Sequence, residues 1–281
     1  MNNQYRFSLD IPKEKGKYCV FGIPKSNQYQ IIENVLFDPK PAYTQSTNPW
    51  DNGISVFLLR NIQDKITVSF STQPISIQKE IHSSWTLSDY NIKKISHNHF
   101  INGDDKQIKQ QVKNVLHNEK NIVVIAQKLY QYTLKYLTYG YPILGLYSYS
   151  QVLQNQTTDC GGFSTYLLSL FQSIGIRGRL VVGFVIKKSV HSNLLPFINL
   201  LSLNFNSLLM HAWTEIQLPD TTWFPMDPAM EWRRTKKLTK RLGGFGVIPD
   251  DRLVISYGED FKVNIDRVKF IIDMVQHPIY L

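Results

Sequence analysis

The chain has 281 residues, 43% of them hydrophobic, which is enough to build one large domain or two ordinary domains around buried cores. Its 31 Lys and Arg residues against 22 Asp and Glu residues give a formal net charge of +9, but no nucleic-acid-binding motif accompanies this excess, so no nucleic-acid partner is expected. Two cysteines cannot supply a disulfide framework, and the lack of an uninterrupted apolar run of about 18 residues argues against a membrane-spanning helix.

The first hundred residues predict a small β-sandwich. Short runs rich in Ile, Val and Phe are separated by Pro, Asn, Asp and Gly, a pattern typical of strands joined by turns. The predicted strands are 30–37, 54–60, 65–70 and 75–81. We therefore assign residues 1–105 to a β-rich N-terminal domain and expect two domains in total.

Helical spacing replaces the strand pattern near residue 105. Residues 104–117 and 122–137 are predicted helices, and Gly140 and Pro142 end the second one. A loop rich in tyrosine follows, with Tyr139, Tyr141, Tyr147 and Tyr149. Residues 106–281 are assigned to a second, α+β domain.

Cys160 is predicted to lie in the first turn of a buried helix. From Phe163 to Ile174 apolar residues recur at helical spacing, and Gly175 stands where a helix would end. Asp159 or Thr158 is the expected N-cap. Unpaired N–H groups and the positive end of the dipole favour a thiolate over a thiol at such a position. Gly161 and Gly162 are poor helix formers, which predicts a close approach to the backbone there, with a substrate carbonyl as the obvious candidate.

A hairpin is predicted to place His211 beside Asp227. Residues 211–218 alternate in the manner of a strand, Pro219-Asp220 is a turn signal, and 221–226 form a second short strand. Directly opposed side chains in an antiparallel pair are roughly 5 Å apart. The Asp227 carboxylate would then fix the imidazole tautomer of His211 and leave its other nitrogen to face a thiol.

These motifs together resemble the transglutaminase-like core, a papain-like fold. The similarity rests on Asp159-Cys160-Gly161-Gly162, on Gly175-Ile176-Arg177 leading into strand 180–186, on His211-Ala212-Trp213-Thr214-Glu215, and on Trp223 to Pro228. It covers about residues 110–265. The chain has Gly178-Arg179 after Gly175-Ile176-Arg177, where the family commonly shows Pro-Ala-Arg; this difference alters a packing turn and no catalytic residue. The resemblance implies a helix carrying Cys160 packed on an antiparallel sheet carrying His211 and Asp227, preceded by the β-sandwich domain.

The resemblance also implies a function. Cys160 matches the family's nucleophile, His211 its base and Asp227 its orienting acid. The expected activity is cysteine-dependent hydrolysis or acyl transfer at peptide or protein amides through a thioester, with protease or amidase ahead of glutamine cross-linking. An inactive binding scaffold is the other alternative. No cofactor and no metal are expected, because His82, His97, His99 and His191 do not form a recognised ligand spacing. The backbone N–H of Cys160 is expected to donate a hydrogen bond to the oxyanion of the intermediate. The second donor stays open among the side chains of Gln151, Asn155 and Gln156.

Other features have structural interpretations. Cys19 is expected to be structural, and Trp213 and Trp223 are expected to fill core. The basic run from Arg233 to Arg241 is interpreted as a solvated face. Two cysteines and a start without the parts of a signal peptide favour a cytoplasmic location. Residues 187–210 are predicted either as a flap over the cleft, with Leu194, Leu195, Phe197 and Ile198 contacting substrate, or as an element docked on the core.

Overall fold

The computed structural model describes residues 3–10, 16–47, 49–90, 96–140, 145–186, 200–204 and 209–281. The strands in these residues are β1 (Asn3–Asp10), β2 (Tyr18–Ile23), β3 (Gln30–Asp38), β4 (Tyr43–Thr47), β5 (Asn52–Leu58), β6 (Lys65–Pro74), β7 (Ile77–Gln78), β8 (Thr138–Tyr139), β9 (Thr157–Thr158), β10 (Gly178–Val185), β11 (Leu200–Asn204), β12 (Leu209–Gln217), β13 (Trp223–Met226), β14 (Val247–Ile248), β15 (Arg252–Tyr257), β16 (Phe261–Ile265), β17 (Val268–Ile272) and β18 (Ile279–Tyr280). The helices are α1 (Lys106–Leu116), α2 (Ile122–Tyr136), α3 (Tyr149–Gln154), α4 (Cys160–Gln172) and α5 (Pro228–Thr235). The predicted α+β class is confirmed.

The chain forms two compact units that are interleaved in sequence. The first contains Met1–Ser76, Val182–His211 and Asp250–Leu281, and the second contains Ile77–Val181 and Ala212–Pro249. The sequence predicts consecutive domains instead, 1–105 and 106–281. That assignment of domains stays a prediction, since compact packing alone does not define what folds independently.

The first unit contains the β-sandwich. One of its sheets has the order β11-β1-β6-β3 and the other has the order β18-β2-β5-β4. Leu9 and Ile66 from the first sheet pack with Cys19, Phe21 and Phe57 from the second, so the apolar faces of both sheets share one core. Strand β18 pairs with β2 through Tyr280 and Cys19, which explains why residues near the end of the chain belong to this unit.

The second unit packs helices on a sheet. Strands β13, β12 and the first part of β10 are neighbours, and β12 pairs with β13 in the antiparallel sense. The core between them joins α4, through Phe163 and Leu167, to Ile216, Phe224 and Met226 of the hairpin. Gly178 at the start of β10 fits here because a Cβ atom would lie 2.3 Å from Leu168 Cδ2. The predicted helix on an antiparallel hairpin is therefore present.

The predicted elements differ from the observed ones mainly at their ends. Strands 30–37, 54–60 and 65–70 correspond to β3, β5 and β6, whereas 75–81 is reduced to the two residues of β7. Helix α1 begins after Asp105, whose side chain accepts hydrogen bonds from Gln107 N and Ile108 N. Helix α2 agrees with the prediction to within one residue.

Candidate functional site

The start of α4 fixes the position of Cys160. The Asp159 carboxylate accepts a hydrogen bond from Gly162 N at 3.1 Å, so Asp159, rather than Thr158, is the N-cap. Residues 161–171 of the helix are all buried, whereas Cys160 itself is partly exposed. The buried helix therefore fixes the position of Cys160 at its first turn.

The two glycines after Cys160 have a different cause from the one predicted. A Cβ atom on Gly162 would lie 1.8 Å from Thr158 Oγ1, and one on Gly161 would lie 2.8 Å from Leu146 Cδ1. The groups that approach the backbone closely at these positions thus belong to the chain itself. Glycine is needed for packing here, whatever the substrate does.

The Cys160 thiol accepts backbone hydrogen bonds but lies in a setting that disfavours its charged form. Burial raises its pKa from 9.0 to about 12, and the carboxylates of Asp159 and Asp227 add to the rise. The N–H groups of Ala212 and Gly161 oppose the rise by donating to the sulfur. This direction is opposite to the thiolate that the helix position alone predicts, because desolvation and two carboxylates outweigh the N–H groups.

Asp227 is buried between β13 and α5. It is fully buried and serves as the N-cap of α5, accepting a hydrogen bond from Met230 N at 3.1 Å. Its own N–H donates to the Gly244 carbonyl at 3.0 Å. The Tyr130 hydroxyl donates toward two acceptors, lying 2.6 Å from Glu231 Oε2 and 3.3 Å from the Asp227 carbonyl oxygen. The carboxylate is thus held at the point where the hairpin ends.

The predicted hairpin is observed, with a register that places Asp227 one step beyond its last pair. Thr214 pairs with Met226, so the next residues outward are Trp213 and Asp227. His211 lies two residues before Trp213 in β12 and therefore shares a strand face with it. His211 is 3% exposed, and its carbonyl accepts a hydrogen bond from Gln276 Nε2 at 3.0 Å. The structure brings Cys160 to Ala212 and Asp227, and the catalytic role of His211, the residue before Ala212, stays a prediction.

Two tryptophans lie in the hairpin, Trp213 in β12 and Trp223 in β13. Trp213 is fully buried, as predicted. Trp223 is partly exposed, and the Arg179 guanidinium lies 4.0 Å from its ring centroid while also donating to the buried Glu215 carboxylate at 2.5 Å. The prediction that the ring fills core is confirmed for Trp213, whereas Trp223 lies at the edge of the hairpin under the Arg179 guanidinium.

Several residues of the basic run from Arg233 to Arg241 make contacts within the chain. Arg234 donates to the Gly243 carbonyl at 2.7 Å, Lys236 lies 5.7 Å from the Trp232 ring centroid, and Arg233 lies 5.0 Å from the centroid of Tyr139. Helix α5, which carries the first residues of the run, was not predicted. Asp227 followed by Pro228 at the first helical position is the signal that marks its start.

Three further predictions concern the flap, a metal site and a membrane-spanning helix. The flap residues Leu194, Leu195, Phe197 and Ile198 lie outside the described residues. Within the described ranges no group of three or more His, Cys, Asp or Glu side chains is arranged to hold a metal ion. None of the helices in the described part of the chain is long and apolar enough to cross a membrane.

Comparisons with known proteins give one family model and several similar solved structures. Residues 108–228 match the family model described as the transglutaminase-like superfamily. The crystal structure of a candidate cysteine protease from Cytophaga hutchinsonii is similar, with a TM-score of 0.58 and 11% sequence identity over 92% of this chain and 80% of that one. The periplasmic domain of TgpA from Pseudomonas aeruginosa gives a TM-score of 0.39 and 13% identity over 76% of this chain and 70% of that one. A search among curated proteins found no match.

Proposed function

We propose that the chain is a cysteine-dependent hydrolase or acyltransferase of peptide or protein amide bonds. The match of residues 108–228 to the transglutaminase-like superfamily model and the setting of Cys160 support this proposal. The observation that carries the proposal is the position of Cys160 at the start of α4, where its thiol receives N–H groups from Gly161 and Ala212 and lies near the buried Asp227.

The raised thiol pKa defines how the reaction would begin. At neutral pH a thiol with a pKa of about 12 is protonated, so it needs a base that accepts its proton as it attacks. His211 takes this proton, and Asp227 orients the imidazole and stabilises its charged form. Cys160 forms a bond to the substrate carbonyl carbon, and the carbonyl electron pair moves to oxygen.

The intermediate then collapses to a thioester. His211 returns the proton to the leaving amine as the carbon–nitrogen bond breaks. Water or a second amine attacks the thioester, His211 accepts a proton from it, and the Cys160 thiol is restored when His211 donates that proton to sulfur. Attack by water gives a protease or amidase, whereas attack by a lysine amine gives a cross-linking enzyme.

The test uses a small acyl donor, because it needs no knowledge of the natural substrate. The chain is mixed with p-nitrophenyl acetate, nitrophenolate release is followed by absorbance, and intact mass with peptide mapping locates the acetyl group. The proposal expects one acetyl group on Cys160 in the native chain and none in Cys160→Ala. Equal release by both proteins would overturn it.

A second measurement separates hydrolysis from amine transfer. The chain is incubated with a glutamine-containing protein and a fluorescent primary amine, and the acceptor is examined both for cleavage and for fluorescence. Cleavage without labelling supports the hydrolase that we favour. Labelling without cleavage supports the cross-linking alternative.

A further inference from the structure

Tyr130 lies on the buried face of α2. It is fully buried, and its ring packs edge-on against Phe245 with ring centroids 5.4 Å apart. A phenylalanine would fill the same space without placing a hydroxyl group in the core. Burying a hydroxyl costs free energy unless it finds a hydrogen-bond partner. The partners of this hydroxyl therefore indicate what the tyrosine contributes.

Both acceptors of the Tyr130 hydroxyl lie in the first turn of α5. The hydroxyl donates to Glu231 Oε2 at 2.6 Å and toward the Asp227 carbonyl oxygen at 3.3 Å. Glu231 follows Asp227 by four residues, and its N–H donates to the same carbonyl at 3.2 Å. Burial and the Glu231 carboxylate hold the pKa of Tyr130 well above its usual value, so the hydroxyl keeps its proton at neutral pH and can donate. One hydroxyl on α2 thus holds two residues of this turn.

The main chain after α5 contacts the same two residues. A Cβ atom on Gly244 would lie 2.5 Å from Glu231 Oε2, so the backbone passes close to that carboxylate. The Gly244 carbonyl accepts the Asp227 N–H at 3.0 Å. The neighbouring Gly243 carbonyl accepts a hydrogen bond from Arg234 at 2.7 Å. Glu231 and Asp227 are therefore fixed by contacts from two separate segments, α2 and the loop after α5.

These contacts leave the Asp227 side chain few ways to move. Its N–H and its carbonyl are both hydrogen-bonded, and its Oδ1 accepts the Met230 N–H at 3.1 Å. In the proposed mechanism this carboxylate orients the His211 imidazole, and such a role depends on geometry held to within about 0.5 Å. Loss of the contact between α2 and the first turn of α5 would therefore displace the carboxylate from its working position.

We infer that Tyr130 and Glu231 are positioning residues, which hold the first turn of α5 against α2 and so fix the direction of the Asp227 carboxylate. This role rests on the proposed function, in which that carboxylate orients the base. Neither residue touches the substrate, and neither gains or loses a proton during the reaction. Removing the Tyr130 hydroxyl should therefore reduce only the part of the rate that depends on the Asp227 charge.

The test measures whether Tyr130 acts on acylation through the charge of Asp227. Tyr130→Phe keeps the ring against Phe245 and removes only the hydroxyl. The rate constant for acylation of Cys160 by p-nitrophenyl acetate is measured for the native chain, Tyr130→Phe, Asp227→Asn and the double variant. Cys160→Ala gives the background rate, and urea unfolding gives the stability of each protein.

Tyr166→Phe is the matched control. Tyr166 is also fully buried, in the same core as Tyr130, and its hydroxyl donates to Gln111 Oε1 on α1 at 2.9 Å. The two substitutions remove the same group from similar surroundings, so both should lower the urea midpoint by a similar amount. Only Tyr130→Phe should change the acylation rate.

The expected result is a loss that depends on Asp227. Tyr130→Phe should slow acylation roughly 10-fold, because the carboxylate moves by less than the 1 Å that can cost about 100-fold. In the Asp227→Asn background the same change should slow acylation by no more than about twofold, because the charge that it positions is already absent. Its effect on the urea midpoint should be the same in both backgrounds.

Two variants of Glu231 test the other half of the pair. Glu231→Ala removes the acceptor of the Tyr130 hydroxyl and should slow acylation about as much as Tyr130→Phe does. Glu231→Gln keeps an acceptor and should restore most of that rate. These variants also carry the test if Tyr130→Phe does not fold by circular dichroism. A glutamine variant as slow as the alanine variant would contradict a role for this hydrogen bond.

Other results would overturn the inference in distinguishable ways. Equal slowing by Tyr130→Phe in the native and Asp227→Asn backgrounds, or equal slowing by Tyr166→Phe, would mean that the effect does not pass through the Asp227 charge. Unchanged acylation in Tyr130→Phe, with the native chain acylated on Cys160, would make Tyr130 a purely structural residue and leave the proposed function standing. Failure of the native chain to become acylated on Cys160 would remove both.

Discussion

Cys19 lies in the β-sandwich and Cys160 lies at the start of α4. The pKa of each thiol is raised to about 12, but the groups around the two sulfurs differ. Cys19 is fully buried in β2 among apolar side chains, and burial alone raises its pKa to about 12. Cys160 reaches about 12 as well, but two carboxylates contribute to the rise and two N–H groups oppose it. Cys19 is protonated because it is buried, and Cys160 is protonated because burial and two carboxylates outweigh two N–H donors.

That difference separates an inert cysteine from one suited to chemistry. Cys19 is enclosed in the apolar core of the sandwich, so we expect it to stay unreactive while the sandwich is folded. A charge that develops on Cys160 meets donors already aimed at the sulfur. Because both thiols have a similarly raised pKa, the pKa does not indicate which one is the nucleophile. The N–H donors around the Cys160 sulfur do indicate it.

The largest expected effect is the loss of acylation on removing Cys160. Cys160→Ala should abolish acetyl transfer from p-nitrophenyl acetate, and Cys19→Ala should keep it within about twofold, because Cys19 is packed in the core of the sandwich. Circular dichroism confirms the fold of each variant. Loss of activity in Cys19→Ala with an intact fold would contradict the contrast between the two thiols.

The next largest effect is expected at Asp227, where charge and capping can be separated. Asp227→Asn keeps an acceptor for Met230 N, since asparagine caps helices as well as aspartate does, but it removes the charge that would stabilise an imidazolium. Acylation should fall by about 100-fold or more with little change in thermal stability.

Asp227→Ala is the matched variant for the cap. It removes both roles, so we expect the same loss of acylation and, in addition, about 1 kcal/mol of stability lost with the cap. Urea unfolding measures the second effect. If both variants were equally stable, the cap of α5 would contribute nothing; if Asp227→Asn were fully active, the charge would have no catalytic role.

The sequence predicts those parts of the fold that depend on regular spacing. Helices α2 and α4 can be predicted because apolar residues recur at helical spacing along 122–137 and from Phe163 to Ile174, and because Asp159 is a strong cap. Strand β1 was missed because its sequence, NQYRFSLD, is mostly polar, although Phe7 and Leu9 are buried. The pairing of Tyr280 with Cys19 depends on long-range topology, which no local pattern contains.

The sequence predicts the helix and the hairpin that carry the candidate site, but it predicts the wrong direction for the thiol pKa. Motif spacing identified Cys160, and the hairpin that carries Asp227 has the predicted antiparallel pairing. The direction of the thiol pKa depends on how deeply the sulfur is buried and on which carboxylates lie near it, and both follow from three-dimensional packing. The sequence places Tyr139 only in a loop rich in tyrosine, because the spacing of residue types does not reveal that Tyr139 pairs opposite Thr158.

A smaller effect is expected from Asp159, one of the two carboxylates that distinguish Cys160 from Cys19. Asp159→Asn keeps the cap on Gly162 N and removes a charge that raises the thiol pKa. The alkylation rate of Cys160 by iodoacetamide should rise with pH up to about 12 in the native chain, and the curve should shift to lower pH in the variant. Rates are read by intact mass. A native curve with its midpoint near neutral pH would show that the thiol is already ionised at rest.

The smallest effect concerns stability and comes from Cys19. Replacing this buried side chain by alanine should cost about 1 kcal/mol at neutral pH, because a small cavity replaces the sulfur. In the native chain the unfolded thiol ionises near 9.0 and the folded one near 12, so its contribution to stability is complete below pH 9 and is lost as pH rises toward 12. Between these values the loss is about 1.4 kcal/mol per pH unit for a single thiol. Cys19→Ala should remove this slope, which urea unfolding between pH 9 and 10.5 can measure against the native chain. An identical slope in both proteins would show that Cys19 is less shielded from water than its position in the sandwich core requires.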